Sequence, residues 1–403
     1  MSAFTSPERE KFRLSMLLND KRYRSYTFQF FALLVLICII AYLGKNLVEN
    51  LAKAGLNISY GFLEDPAGYD INQRLIEYNS QSSHLRAAFV GVLNTLLVAF
   101  LGCIMATVLG VTAGILRLSN NWIVAKLMTI YVEIFRNVPM LIWILIINSN
   151  FLDVLPQTRA FKGENPEASM LWDMFAFTGR GIYAPKPLFL EGSMVVIGAF
   201  ILSILAIFAL RRYARNKLYS EGRLINTLWP SVALFFIPTV IIFYASGSPI
   251  GLEYPELKGF NFKGGIYARG GLISLWFALS IYTGAFIAEV VRAGILSVNE
   301  GQTEAAAALG LRTNLVMNLV VLPQALRVIV PPLISFYLNI TKNSSLALAV
   351  GYMDITGTLG GITLNQTGRA IEAILLLMLF YLIISLGISA IMNIYNRSIM
   401  LKE

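Results

Sequence analysis

Glu133 with Arg136 and Glu289 with Arg292 each set a carboxylate three residues before a guanidinium. Residues three apart share a helix face, so each pair can close an ion pair. Both lie in or beside apolar stretches, where an ionisable group is costly and is found paired or lining a polar pathway. Two readings stand for Glu133 and Arg136: an intrahelical pair that holds a helix start, or a coupling element near a gate. Glu289 and Arg292 can also both reach an interface by snorkelling. A second polar group is Lys342-Asn343-Ser344-Ser345, directly after an apolar run that contains Pro331-Pro332. The proline pair predicts a break midway along that helix. A broken helix ending in polar residues is one way to build a ligand site in a membrane. Lys342 suits a carboxylate, and the amide and hydroxyls supply hydrogen bonds; the alternative is a plain polar helix end. Asn94 and Thr95 are weaker candidates of the same kind. Gly110 and Gly114 have the small-xxx-small spacing of close helix packing.

Other chemistries lack their residues. There is one histidine, His84, and two cysteines, Cys38 and Cys103, both in apolar runs. That excludes a His-pair or Cys-type metal site and a disulfide scaffold, and it weakens any hydrolase reading built on a Ser/His/Asp grouping. His84 reads as an interfacial polar residue. No G-x-x-x-x-G-K-[ST] phosphate loop occurs: Gly44-Lys45 is followed by Asn46. ATP hydrolysis by that route would need a partner.

The elements that must position these residues are apolar and long. The 403 residues are 56% hydrophobic and 14% charged, against about 25% charged in an average soluble domain. A span needs roughly 20 mostly apolar residues, and eight candidates meet this. They lie at about Phe28 to Leu47, Ala88 to Leu116, Trp122 to Ile147, Met194 to Leu210, Leu228 to Ala245, Leu272 to Val291, Gln324 to Thr341 and Ile371 to Ile394. The third is interrupted by Glu133, Arg136 and Pro139. Runs this long are not the alternating ten-residue strands of a barrel, so the expected fold is an all-α membrane protein. The first span follows a polar stretch and has no small-x-small site after it, so it reads as an uncleaved anchor.

The formal charge of +9 is explained by position. Arg9, Lys11, Arg13, Lys21, Arg22 and Arg24 precede the first span; Arg211, Arg212, Arg215, Lys217 and Arg223 follow the fourth. Basic residues collect on the cytoplasmic side, and an even span count puts both clusters there. Both termini are then cytoplasmic, and no nucleic-acid partner is implied. Three longer segments, about 49–87, 148–192 and 246–271, fall outside, either as connecting loops or as a cap or docking surface.

The segment between the sixth and seventh spans reads Glu300-Gly301-Gln302-Thr303-Glu304, four alanines Ala305 to Ala308, then Leu309-Gly310-Leu311-Arg312. This predicts a short helix, capped by Thr303, with Glu304 at its positive end. Gly310 suits the left-handed turn that ends it. Arg312 is expected exposed beyond that turn, and Pro323 begins the next span.

Glu304, Ala305, Ala306, Gly310, Val320, Leu322 and Pro323 resemble the "EAA" signature of ABC importer permeases, with Val320 where isoleucine is commonest. Asn94 to Ser119, Tyr131 to Leu145 and Pro323 to Ala347 resemble the polar amino-acid (histidine/glutamine-type) branch. Tyr60 to Leu97 is similar to the general L-amino-acid permeases of Gram-negative bacteria. The resemblance implies a type I ABC importer permease core at residues 88–395, with an inserted segment at about 148–271. The flanks are a cytoplasmic segment at 1–27, an anchor and periplasmic segment at 28–87, and a cytoplasmic tail at 396–403.

The resemblance also implies an inner-membrane subunit that imports L-amino acids and carries no cofactor of its own. ATP and Mg would be bound by two copies of a partner ABC ATP-binding subunit docked on the helix around Glu304 to Gly310. A second, related permease subunit and a periplasmic amino-acid-binding protein are the other implied partners, besides the substrate and the bilayer. The rival reading is a secondary transporter or channel driven by an ion gradient; inverted repeats and unpaired midplane carboxylates would favour it.

Overall fold

The computed structural model describes residues 16–399 apart from 54, 56, 164–165 and 223–224. Arg9, Lys11, Arg13, Arg223 and the last residues of the tail lie outside the described residues. A short α1 (Met16–Asn19) precedes α2 (Lys21–Lys53), α3 (His84–Leu116), α4 (Trp122–Asn137) and α5 (Met140–Val154). Strands β1 (Ala176–Thr178), β2 (Gly181–Ala184) and β3 (Lys186–Phe189) come next, then α6 (Ser193–Glu221) and α7 (Leu228–Ala245). Strands β4 (Ile250–Glu253), β5 (Glu256–Lys258), β6 (Asn261–Lys263) and β7 (Ile266–Arg269) lead into α8 (Gly270–Leu296). The chain finishes with α9 (Glu300–Ala308), α10 (Thr313–Val316), α11 (Leu322–Asn343), α12 (Leu364–Thr367) and α13 (Ala370–Ile399).

Eight of these helical stretches are long and apolar enough to cross a membrane, as expected from the apolar runs. The third differs in detail. Trp122 to Ile147 is two helices, because Pro139 has no N–H to give and forces extended geometry on Val138, whose φ is −111° and ψ 134°. The spanning stretch there is Met140–Phe161. Arg211, Arg212, Arg215 and Lys217, expected in a loop, continue α6 as helix. The prolines of the seventh span give the opposite surprise. Pro331 and Pro332 sit inside an unbroken α11, although their rings leave the carbonyls of Arg327 and Val328 without the usual partners. Ile329, Val330 and Leu333 are buried, so packing on one face holds the helix straight enough to continue.

The core forms around α8, which packs on α3, α4, α5 and α11. Val98, Ile144, Leu275 and Leu279 form one buried cluster, and Ala106, Ile287, Ile329 and Ile340 another. Close approach depends on glycine: a Cβ on Gly110 would lie 2.5 Å from Ile287 Cβ and 2.9 Å from the Gly284 carbonyl oxygen. The small-xxx-small pattern is therefore a packing contact. By contrast, α6 and α7 pair mainly with each other, and none of the most apolar stretch of α2 is buried.

The segments before α6 and before α8 fold together, adding short strands that the all-α expectation did not contain. β2 pairs antiparallel with β1 and β7, β3 with β4, and β5 with β6. Helix alternation places this sheet region at the end of the bundle opposite α9.

Candidate functional site

At the α9 end, one carboxylate gathers three guanidinium groups. Glu289 of α8 lies 2.5 Å from Arg117 Nη1 at the end of α3, 3.5 Å from Arg136 Nη1 of α4 and 2.9 Å from Arg292 Nη2. The Arg136 guanidinium also lies 5.3 Å from the centroid of the Phe286 ring, a cation–π arrangement. The expected pairing of Glu289 with Arg292 is present. Glu133 and Arg136 do not pair: Arg136 turns to Glu289, and Glu133 Oε2 accepts from Asn137 Nδ2 at 3.3 Å. The half-buried Glu289 carboxylate, less screened than the exposed Glu133, outcompetes that local partner for Arg136 even against the repulsion of two neighbouring guanidiniums. Arg117 was missed. It ends an apolar run with no acid within four residues, so its partner had to be distant. Arg117 and Arg292 each keep a buried Nε without a hydrogen-bond partner. The cluster thus ties three helices together while carrying excess positive charge.

Three residues after α8 comes α9. Its N-cap is Asn299, whose Oδ1 accepts from the Gly301 N–H at 2.8 Å, rather than Thr303, whose hydroxyl donates to the Glu300 carbonyl at 2.7 Å. The helix begins one turn earlier than expected, so Thr303 and Glu304 are interior. Its end is as expected: Gly310 has φ +76°, its N–H donates to Ala307 O at 2.9 Å and that of Leu311 to Ala306 O at 3.3 Å. This is a Schellman closure. Ala306 is buried with Val316 and Val321 against Ile295 and Val298, which fixes α9 to the end of α8. Glu304, Ala305, Ala307, Ala308, Gly310 and Arg312 are exposed, and Leu309 is 82% exposed. Leu322 is exposed and Pro323 sits at the start of α11.

The opposite end holds a second polar centre around Asp354, which the sequence reading missed. This side chain is fully buried. It accepts from the Gly357 N–H at 2.9 Å, the Tyr381 hydroxyl at 3.1 Å and Ser344 Oγ at 3.2 Å. Burial raises its pKa to about 6, against the lowering effect of those donors. Asp followed two and three residues later by Thr and Gly is a helix-start signal, and here it opens the π-helical turn Thr356–Thr363. Ser344 is therefore engaged, while Lys342 is exposed and Asn343 and Ser345 are half-buried. Asn94 and Thr95 are buried braces: Asn94 Nδ2 donates to Gln73 O at 2.7 Å and Met353 O at 2.8 Å, and Thr95 Oγ1 accepts from the Ile355 N–H at 3.2 Å. His84, expected at an interface, is buried with Nδ1 3.0 Å from Thr363 Oγ1.

Residues 222–400, which run from the end of α6 through α9 to α13, match the family described as "Binding-protein-dependent transport system inner membrane component". The chain is 48% identical over 427 residues to the glutamate/glutamine/aspartate/asparagine transport system permease protein BztB of Rhodobacter capsulatus, covering all of both chains. It is 42% identical over 384 residues to the general L-amino acid transport system permease protein AapQ of Rhizobium johnstonii, covering 95% of this chain and 94% of that one. The putative amino-acid ABC transporter permease protein YhdX of Escherichia coli is 42% identical over 399 residues, with 99% and 100% covered. The chain belongs to the amino-acid permeases of ABC importers. This permease is thus a multi-pass inner-membrane transport subunit of a binding-protein-dependent amino-acid importer, and not itself an enzyme. The expected permease fold and the expected branch are both borne out. In the permease, the Glu289 cluster and α9 lie toward one end of the bundle, and the Asp354 centre lies toward the other.

Proposed function

We propose that α9 is the element through which ATP-binding subunits drive this permease, with Glu304, Ala305, Ala306, Gly310, Arg312, Leu322 and Pro323 forming the coupling surface and its base. The carrying observation is that α9 presents exposed alanines and Leu309 while Ala306 anchors it to α8. A push on α9 is delivered to α8 and, through Glu289, to α3 and α4. Two ATP-binding subunits holding ATP and Mg would lie beneath it, and a second, related permease would complete the pore. Two arrangements of the bundle, biased by closure of the ATPases, make the transport cycle.

In this reading the basic residues of α2 and α6 and both termini are cytoplasmic, and the sheet region faces the periplasm and the binding protein. Residues 88–395 form the permease unit, interrupted by the insertion at about 148–271. Amino acids, including the acidic and amide ones named for BztB, pass along a route near Lys342, Asn343 and Ser345, with Ser344, Asn94 and Thr95 bracing its wall.

The test is Glu304→Trp and Gly310→Val in the reconstituted complex. A Cβ at Gly310 meets no atom within 4 Å, so valine there strains only the left-handed backbone, by roughly 1–2 kcal/mol. Both variants insert and assemble, while substrate-stimulated ATPase and ATP-driven uptake fall more than tenfold. Unchanged coupling in both rejects the assignment. Uptake that ignores ATP but follows an ion gradient rejects the importer mechanism.

A further inference from the structure

A cavity of about 660 Å³ lies where the inserted sheet meets the start of α8 and the Val350–Tyr352 turn, within the size range of small-molecule sites. Its floor is rigid: a Cβ on Gly271 would lie 2.5 Å from the Val350 carbonyl oxygen. Its wall is the β2–β7 ladder, in which Gly181 pairs with Arg269 and Tyr183 with Tyr267, the two tyrosine rings stacked 4.4 Å apart. The Arg180 carbonyl accepts from both the Gly270 N–H and the Tyr267 hydroxyl, each at 2.9 Å, which pins sheet to helix.

The lining is positive and polar. Arg180 and Arg269 face it, no Asp or Glu does, and among the described residues neither guanidinium has an ion-pair partner. Arg180 donates to Asn261 Oδ1 at 2.6 Å, which orients it and leaves its charge uncompensated. The first turn of the 27-residue α8 opens here with no side-chain cap, adding the positive end of its dipole. A neighbouring cleft of about 490 Å³ shares Arg180 and adds Arg159 and Lys162, again with no acidic lining residue. Two separate guanidinium groups and several amides match a small molecule with two carboxylates.

We propose that this cavity binds free dicarboxylic amino acids, with Arg180 and Arg269 each taking one carboxylate, a site that rests on the reading of the sheet region as the face where substrate arrives. It is a staging site outside the spans, and it favours acidic over basic amino acids.

The full complex in lipid nanodiscs, without ATP and without binding protein, is titrated with radiolabelled L-glutamate. Saturable binding is expected, displaced by L-aspartate and not by L-lysine. It weakens more than tenfold in the Arg180→Gln/Arg269→Gln double variant. Asn72→Trp, which fills the cavity from its exposed edge without touching the ladder, gives the same loss. Absence of saturable glutamate binding, or equal binding by these variants, overturns the site. So does a variant that loses only its association with the binding protein, since the arginines would then serve an acidic protein surface. ATP-driven uptake by the wild-type complex in proteoliposomes is measured in parallel. Uptake without glutamate binding removes the cavity site alone, whereas no ATP-driven uptake removes the importer reading beneath it.

Discussion

Helices α8 and α2 are both long and apolar enough to span a membrane, and α2 is the more apolar of the two. Yet 61% of the most apolar stretch of α8 is buried inside the protein, and none of that of α2 is. The difference lies in residue size and charge placement. The buried face of α8 is built from Ser274, Ala278, Ser280, Gly284, Ala285 and Ala288 between large residues, which lets other backbones come near. Helix α2 carries Phe30, Phe31, Leu36 and Ile40, all exposed. Lipid is as apolar as leucine, so apolarity alone does not select a protein neighbour. Hydropathy thus marks what enters the membrane, and small residues, with a charge whose partners lie partly on other helices, mark what meets protein there.

The strongest test exchanges a glycine in each region. Gly110→Leu drives a side chain into Ile287 and the Gly284 backbone, and its cost is about 3 kcal/mol or more, at the upper end of overpacking. The variant is expected to lose its monodisperse peak in detergent gel filtration. Gly44→Leu on α2 meets no atom within 4 Å and leaves the peak unchanged. Equal tolerance of both would remove close α3–α8 packing as the basis of the core.

The second test uses pH. Asp354 has a folded pKa near 6, above its ordinary 3.8. Between those values the folded state holds more protons than the unfolded one, so stability falls as pH rises through that window and is level above it. The total change is on the order of 2–3 kcal/mol. Asp354→Asn should abolish this fall between pH 4 and 7 in thermal melts while still accepting from the Gly357 N–H. A wild-type melt that is flat over the same window contradicts the burial of a titrating carboxylate.

Which of these features could be read in the sequence follows from their range. Apolar runs are local, so the eight spans were legible, and so was the turn at Gly310, which needs a left-handed residue. The break at Val138 is also local, since a proline disfavours helical geometry in the residue before it. Arg136 and Arg117 could not be placed, because their partner Glu289 is 153 and 172 positions away and becomes near only when α3, α4 and α8 pack. The continuity of α11 through Pro331 and Pro332 likewise comes from neighbours. The strands are three or four residues long, too short to show a period of two, and β2 finds β7 across two spans.

Glu289→Gln sharpens the comparison on charge. It leaves Arg117, whose side chain is 8% exposed, without a counter-charge. Glu289 itself is 27% exposed, so solvent screens part of the loss. The cost falls between surface and buried pairs, roughly 1–3 kcal/mol. The melting temperature should drop and the coupling of ATPase to substrate should weaken; Arg117→Gln added to it should cost less than the two changes summed. Strict additivity would mean that the two groups act independently.

The smallest effect belongs to the matching charge pair on α2. Lys45 Nζ and Glu49 Oε1 are 3.6 Å apart, with side chains 74% and 49% exposed. A pair in that setting contributes under about 0.5 kcal/mol, and salt screens it further. Glu49→Gln should leave the melting temperature of the purified chain unchanged at both low and high salt. The same substitution in the assembled importer carries the more telling result. If α2 faces only lipid and water, nothing changes there either. A measurable loss confined to the complex would mean that Glu49 is desolvated by another subunit, because only desolvation makes a pair at this distance worth more than screening removes. Helix α2 would then resemble α8 after all, buried by a chain that this one does not contain, and its large apolar face would be an assembly surface rather than a lipid-facing one.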